Sequence, residues 1–182
     1  MLLSTWAFRH KIQHSLILIL LVLSLSSCDY YAQAPSCFDY FEVGDTSGYE
    51  LLEGGLARHL QSQTVWYRCP AGTSFSQGVC QGTMLSVSWE EAGAFAEEFS
   101  EKSGYRWQLP STSELSSIMQ TSCRNPAINP NIFPMLAVDN HWTRDNARVN
   151  SNRKCTVYTY QGQRSCRELP DSEHPFMLLM RL

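Results

Sequence analysis

The 182-residue sequence contains no C-x-x-C pair, no H-E-x-x-H helix, no G-x-S-x-G elbow and no phosphate-cradling glycine loop. Those absences remove the usual sequence signs of a structural zinc site, a zinc protease, a serine hydrolase and a P-loop nucleotide enzyme. Charge is sparse at 17% of residues, with 14 basic against 17 acidic side chains. A chain with a net charge of −3 has no general pull on nucleic acid or anionic lipid. The longest apolar run, Leu16 to Leu25, is too short to span a bilayer comfortably. No cofactor and no metal are expected.

That run is instead of signal-peptide length, preceded by Arg9 and Lys11 and followed by small residues. It ends in Leu25-Ser26-Ser27-Cys28, which resembles a bacterial lipobox, where the cysteine is lipidated and becomes the first mature residue. The alternatives are an ordinary secretory signal or an uncleaved anchor. The expected organisation is a lipoprotein signal peptide over 1–27, a tether over 28–37 and a single domain over 38–182. Residues 1–27 hold two basic and no acidic residues, so removing them takes the net charge from −3 to −5. The expected location is the bacterial cell envelope, with the membrane as partner through the N-terminal lipid. Asp29, directly after Cys28, favours the periplasmic face of the inner membrane, and the outer membrane stays open.

Seven cysteines is an odd number, which in an exported protein calls for one with a separate role. Giving Cys28 to lipid leaves six, an even set suited to an oxidising compartment. Cys69 and Cys80 flank a Gly/Ser/Pro-rich segment and fit a local disulfide closing a loop. Cys155 and Cys166 can bridge the last hairpin, and Cys37 and Cys123 pair by elimination. Six paired cysteines leave no thiol for Cys–His chemistry with His59, His141 or His174, so a catalytic function is not expected.

The strongest local pattern is Gly104 to Leu115. Tyr105, Trp107 and Leu109 alternate with Arg106 and Gln108 as in a half-buried strand, and Pro110 ends it. Ser111 and Glu114 then form an S-x-x-E capping box, opening a helix whose apolar face is Leu115, Ile118 and Met119. Ser88 and Glu91 form a second box, followed by Trp89, Ala92, Ala96 and Phe99 at helical spacing and Gly104 at the expected C-cap. The acidic residues of that helix fall largely on its other faces, as on a solvated surface.

Elsewhere the pattern predicts strands over Phe38–Val43, Thr64–Arg68, Asn140–Arg144, Cys155–Tyr160, Gln163–Glu168 and Pro175–Arg181, with loop over Gly44–Gly55. Between Ser122 and Pro134, three prolines and three asparagines forbid regular structure, and Ile128, Ile132 and Phe133 pin the segment to the core.

Taken in order, Cys69 to Cys80, Trp89 to Phe99, Trp107-Gln108-Leu109-Pro110 with Glu114-Leu115, Asn125 to Asn129, Phe133-Pro134, Trp142-Thr143 and Met180-Arg181-Leu182 resemble the Lcl C-terminal domain family. The resemblance covers about Thr64 to Leu182. It implies an α+β, C-type-lectin-like fold: two helices packed on twisted antiparallel strands, with long irregular loops and disulfide bracing. The name-giving member is a surface adhesin that binds glycosaminoglycans, an activity that does not transfer wholesale. Gln108 stands where the family motif has arginine, so any ion pair of that arginine is lost. Glu-Pro-Asn, Gln-Pro-Asp and Trp-Asn-Asp, the calcium-dependent sugar motifs of C-type lectins, are absent.

Loops on such a scaffold are where recognition sits. The candidate ligand-binding residues are Trp142, Arg144, Arg148, Arg153 and Lys154: arginines for sulfate or carboxylate groups, the indole for a sugar ring or partner side chain. The alternative is a core Trp142 with a merely solvated basic loop. The function expected is a non-catalytic envelope binding module for a glycan or an envelope protein, or else a structural docking subunit of a periplasmic or inner-membrane assembly. Replacing Cys28 by serine is expected to abolish incorporation of labelled fatty acid and to shift the protein out of the detergent phase on Triton X-114 partitioning.

Overall fold

A computed structural model describes residues 34–181. Residues 1–33, on which the expected signal peptide, Cys28, Asp29 and most of the expected tether fall, lie outside the described residues. Among those described, no helix is long and apolar enough to cross a membrane. The elements in chain order are α1 (Cys37–Tyr40), β1 (Tyr49–Leu52), β2 (Leu56–His59), β3 (Thr64–Tyr67), β4 (Thr73–Ser76), β5 (Val79–Gly82), α2 (Trp89–Ser103), α3 (Thr112–Ser117), β6 (Asn140–Asn146), β7 (Lys154–Tyr158), β8 (Gln163–Glu168) and β9 (Leu179–Arg181). The strands pair antiparallel in three sheets, ordered β1-β2-β3-β9, β4-β5 and β6-β7-β8. The α+β class is as expected.

The pairing of β3 with β9 divides the interior. Val65, Leu178 and Met180 enter one apolar cluster with Ala92, Ala96, Trp107, Leu109 and Trp142. Their neighbours Trp66, Met177 and Leu179 enter the other, with Leu115, Ile118, Ile128, Ile132, Phe133 and Val157. A strand buried on both faces needs apolar residues at consecutive positions. That is why Phe176 to Met180 is an unbroken apolar run.

Both capping boxes are present. Ser88 and Ser111 accept from the backbone N–H of Glu91 and Glu114, whose carboxylates accept from the serine N–H groups in return. Helix α2 buries Ala92 and Ala96 and ends at Gly104, which takes φ 75° and donates its N–H to the Ser100 carbonyl. Helix α3 spans only six residues, with Ile118 as its C-cap.

Several expected elements differ. The Tyr105–Leu109 strand reduces to a single bridge, Gln108 to Leu179. Trp107 gives its N–H to the Ser100 hydroxyl at 2.9 Å, and Tyr105 is 56% exposed, because the chain is still unwinding from the C-cap of α2. The strand expected over Phe38–Val43 is instead the turn α1, since Ser36 caps it by accepting the Phe38 N–H and Cys37 donates to the Arg124 carbonyl. The supposed loop over Gly44–Gly55 contains β1, which turns back into β2 through Gly54 and Gly55. A Cβ on Gly55, which takes φ 75°, would collide with the Phe75 side chain, so the turn requires glycine there. Within Cys69–Cys80 the chain forms most of the β4-β5 hairpin, turning at Gln77-Gly78 with positive φ at both.

Disulfides join Cys37 to Cys123, Cys69 to Cys80 and Cys155 to Cys166, the expected pairing. The irregular segment after α3 is pinned as expected by Ile128, Ile132 and Phe133, all within the core. It also receives the buried guanidinium of Arg68, which donates to the Ile132 and Asn131 carbonyls at 2.8 and 2.9 Å and lies 4.3 Å from the centre of the Phe75 ring. Because loop-closure entropy grows with the logarithm of loop length, opening the bridge of 86-residue separation is expected to cost more than opening the bridge of 11. A Cys37→Ser/Cys123→Ser variant should lose about 4–5 kcal/mol and a Cys69→Ser/Cys80→Ser variant about 3 kcal/mol, measured by denaturant unfolding.

Candidate binding surface

The corner from Leu109 to Glu114 is stitched to β6. The Arg144 N–H donates to the Pro110 carbonyl at 2.8 Å, and the Thr112 N–H donates to the Asp145 carboxylate at 2.7 Å. Thr112 and Thr143 share a hydroxyl–hydroxyl bond at 3.2 Å, and Thr143 also donates to the Cys155 carbonyl. These residues fall where β6 slips in register against β7, between Trp142 and Asn146. Such a bulge re-aims side chains out of the strand's alternation, here towards the corner.

Glu114 collects the charges of this region. One carboxylate oxygen accepts the Ser111 N–H at 2.7 Å and lies 2.9 Å from Arg144 Nη1; the other accepts from Arg181 Nη2 at 2.6 Å. Burial on its own would raise its pKa, but the Ser111 hydrogen bonds, Arg181 and Arg144 outweigh that and bring it down to about 2. His141, wholly buried with its Nδ1 3.2 Å from the Asp139 carbonyl, is pushed down to about 4, chiefly by desolvation. It is neutral near pH 7 and adds no charge to the surface.

The five expected ligand-binding residues have different environments. Trp142 is fully buried, and its indole N–H donates to the Val87 carbonyl at 2.8 Å. The expectation that it stacks on a ligand is therefore corrected: it is a core residue with a satisfied polar edge. Arg144 is held by Glu114 and by the Leu109 carbonyl, 3.0 Å from Nη1. Arg153 donates to the Arg167 carbonyl at 3.0 Å, beside the register slip between β7 and β8. Lys154 donates to Asn146 at 2.8 Å and sits 3.7 Å from the centre of the Trp89 ring. Arg148 is exposed, with no side-chain partner among the described residues.

Two clefts meet at β8. One, of about 580 Å³, is lined by Asn140, Tyr158, Gln163, Ser165, Arg167 and Glu168; the other, of about 670 Å³, by Thr112, Asp145, Asn146 and Arg148. Arg164 and Cys166 line both. Arg164 and Arg167 were not among the residues expected from sequence, although both flank Cys166 in the hairpin. β8 is the edge of its sheet, and the Cys155–Cys166 bond ties it to β7. No group of three or more His, Cys, Asp or Glu side chains suited to a metal ion occurs among the described residues.

The fold and this surface define a disulfide-braced α+β domain of three small antiparallel sheets, with polar clefts around a clamped edge strand. The chain belongs to the Lcl C-terminal domain family, whose model matches residues 55–181. The match begins ahead of Thr64, taking in β2 and the Gly55 turn. No curated protein matches the chain.

Lowering a carboxyl pKa in the folded state gives stability that is complete above the unfolded value and disappears as pH falls through the folded one. Glu114 is therefore expected to contribute fully above about pH 4.5 and to lose its contribution as pH drops towards 2. Glu114→Gln should unfold at lower denaturant than the parent at pH 7, and the gap between the two should close near pH 2.

Proposed function

We propose that the chain is a lipid-anchored recognition module of a bacterial envelope, which binds a glycan or an envelope protein without catalysing a reaction. The observation that carries this reading is the pair of clefts at β8, where Arg148, Arg164 and Arg167 have no side-chain partners among the described residues. Unpaired guanidinium groups on a disulfide-tied strand and the neighbouring loop suit bidentate recognition of carboxylate or sulfate. A net charge of −5 after removal of residues 1–27 argues against nucleic acid as the partner. Helices α2 and α3 beside short antiparallel strands, long pinned loops and three disulfides support a C-type-lectin-like architecture. All six cysteines of the described domain are in disulfides, which supports the non-catalytic reading for thiol chemistry. Membrane attachment through Cys28 rests on the Leu-Ser-Ser-Cys sequence.

A second reading, a docking subunit of a periplasmic or inner-membrane assembly, is favoured by Asp29 after the lipidation cysteine. Crosslinking the full-length protein in its own envelope, followed by mass-spectrometric identification of what it captures, separates the two. The recognition module is expected to retain an acidic or sulfated ligand, to release it as salt rises, and to lose it in an Arg148→Ala/Arg164→Ala/Arg167→Ala variant. Stoichiometric capture of a membrane complex, unchanged by that variant, favours the docking subunit instead.

A further inference from the structure

The N-terminal edge of the described domain exposes apolar side chains that the clefts do not use. Phe38 is 59% exposed, Tyr40 is 48% exposed and Val43 is fully exposed. Single exposed apolar residues are ordinary, but three within six positions, held rigidly, are not explained by a frayed end. On one side the segment is fixed by the Cys37–Cys123 bond and by the Cys37 N–H to the Arg124 carbonyl at 2.9 Å. On the other, the Gly44 N–H donates to Asn131 Oδ1 at 3.0 Å, while Asn131 and Asn129 donate to the Glu42 and Asp45 carbonyls at 2.9 Å. Two asparagines of the irregular segment thus hold the backbone around Val43. The Tyr40 ring packs edge-on to Phe41 at 5.2 Å.

Chain length names the occupant. Cys37 follows Cys28 by nine positions, a reach of at most about 30 Å even when fully extended. If Cys28 carries lipid, α1 is held within that distance of the bilayer surface, and a short tether gives an effective concentration in the millimolar range. A contact too weak to bind a free protein is then sufficient to orient a tethered one. We propose that Phe38, Tyr40 and Val43 rest in the headgroup–acyl boundary of the membrane that holds Cys28, and so set how the domain is presented above it. Aromatic side chains suit that boundary, where one end is apolar and the other wet. Asp39 and Glu42, both outside the core, disfavour anionic headgroups, so the contact is to zwitterionic lipid. This inference rests on the lipid-anchored reading of Cys28.

The test uses the full-length lipidated protein reconstituted in phosphatidylcholine–phosphatidylethanolamine vesicles containing a photoactivatable phosphatidylcholine, with crosslinked peptides mapped by mass spectrometry. Label is expected on residues 38–43 of the parent. A Phe38→Ser/Tyr40→Ser/Val43→Ser variant should stay with the vesicles and lose that label. Label confined to residues 28–37 of a vesicle-bound parent overturns the inference and leaves the anchor intact. A protein that does not carry lipid and leaves the vesicles removes the anchor, and the inference with it.

Discussion

One carboxylate joins three parts of the chain that lie far apart in sequence. Glu114 closes the capping box of α3, accepts Arg181 at the end of β9 and pairs with Arg144 in the bulge of β6. A six-residue helix is too short to persist by its own hydrogen bonding. Its direction is set by the cap and by Leu115 entering the core below. A carboxylate with two guanidinium partners on separate strands therefore fixes the position of α3 against both sheets. The half-exposed Arg144 and mostly exposed Arg181 would each contribute little as isolated surface pairs. Converging on one mostly buried oxygen pair, they offset its desolvation, and the corner at Pro110 can be made without a continuous strand.

Three small sheets pose a problem that the disulfides address. A two-stranded hairpin such as β4-β5 is marginal in water, and β8 has strand pairing on only one side. Cys69–Cys80 ties β5 back to the end of β3, Cys155–Cys166 ties β8 to β7, and Cys37–Cys123 joins the N-terminal turn to the irregular segment after α3. Each bridge lies where backbone pairing is thinnest. The double-sided burial of β3 and β9 then supplies the continuous apolar interior that the peripheral elements lean on.

What was legible in the sequence was local. Two S-x-x-E boxes and the glycine C-cap act within a few residues of one another, and Cys69 and Cys80 stand only 11 apart, so spacing alone carries them. The hairpins β1-β2 and β4-β5 were hidden because their strands are four residues each, too short to establish an alternation, and β4 and β5 mix Ser, Thr, Gln and Gly with few apolar positions. Trp107 and Leu109 are buried as the alternation implied, but the backbone obtains its hydrogen bonds from Ser100 and Leu179 rather than from a ladder. Burial periodicity reports the face a side chain takes, and it cannot say whether a partner strand is present. The choice between a ligand-facing and a core Trp142 was not legible for a related reason: the Val87 carbonyl that accepts its indole N–H lies 55 positions away.

The same limit governs the basic residues, and it bears on selectivity. Of the cations grouped by their position in the sequence, Arg144, Arg153 and Lys154 each bond to protein, and Arg144 shares the Glu114 carboxylate with Arg181. Those with no side-chain partner among the described residues, Arg148, Arg164 and Arg167, come from a loop and from a strand that pattern alone did not join. Asp145 and Glu168 line the same clefts. Guanidinium groups interleaved with carboxylates on an acidic domain make a poor field for a long polyanion, whose charge is repelled beyond the first contact. Under the proposed recognition role, they favour a ligand with a few discrete acidic groups, which can meet the arginines while avoiding the neighbouring carboxylates. Rigidity then matters more than net charge, and the bond from Cys155 to Cys166 sits at the point where the two clefts meet.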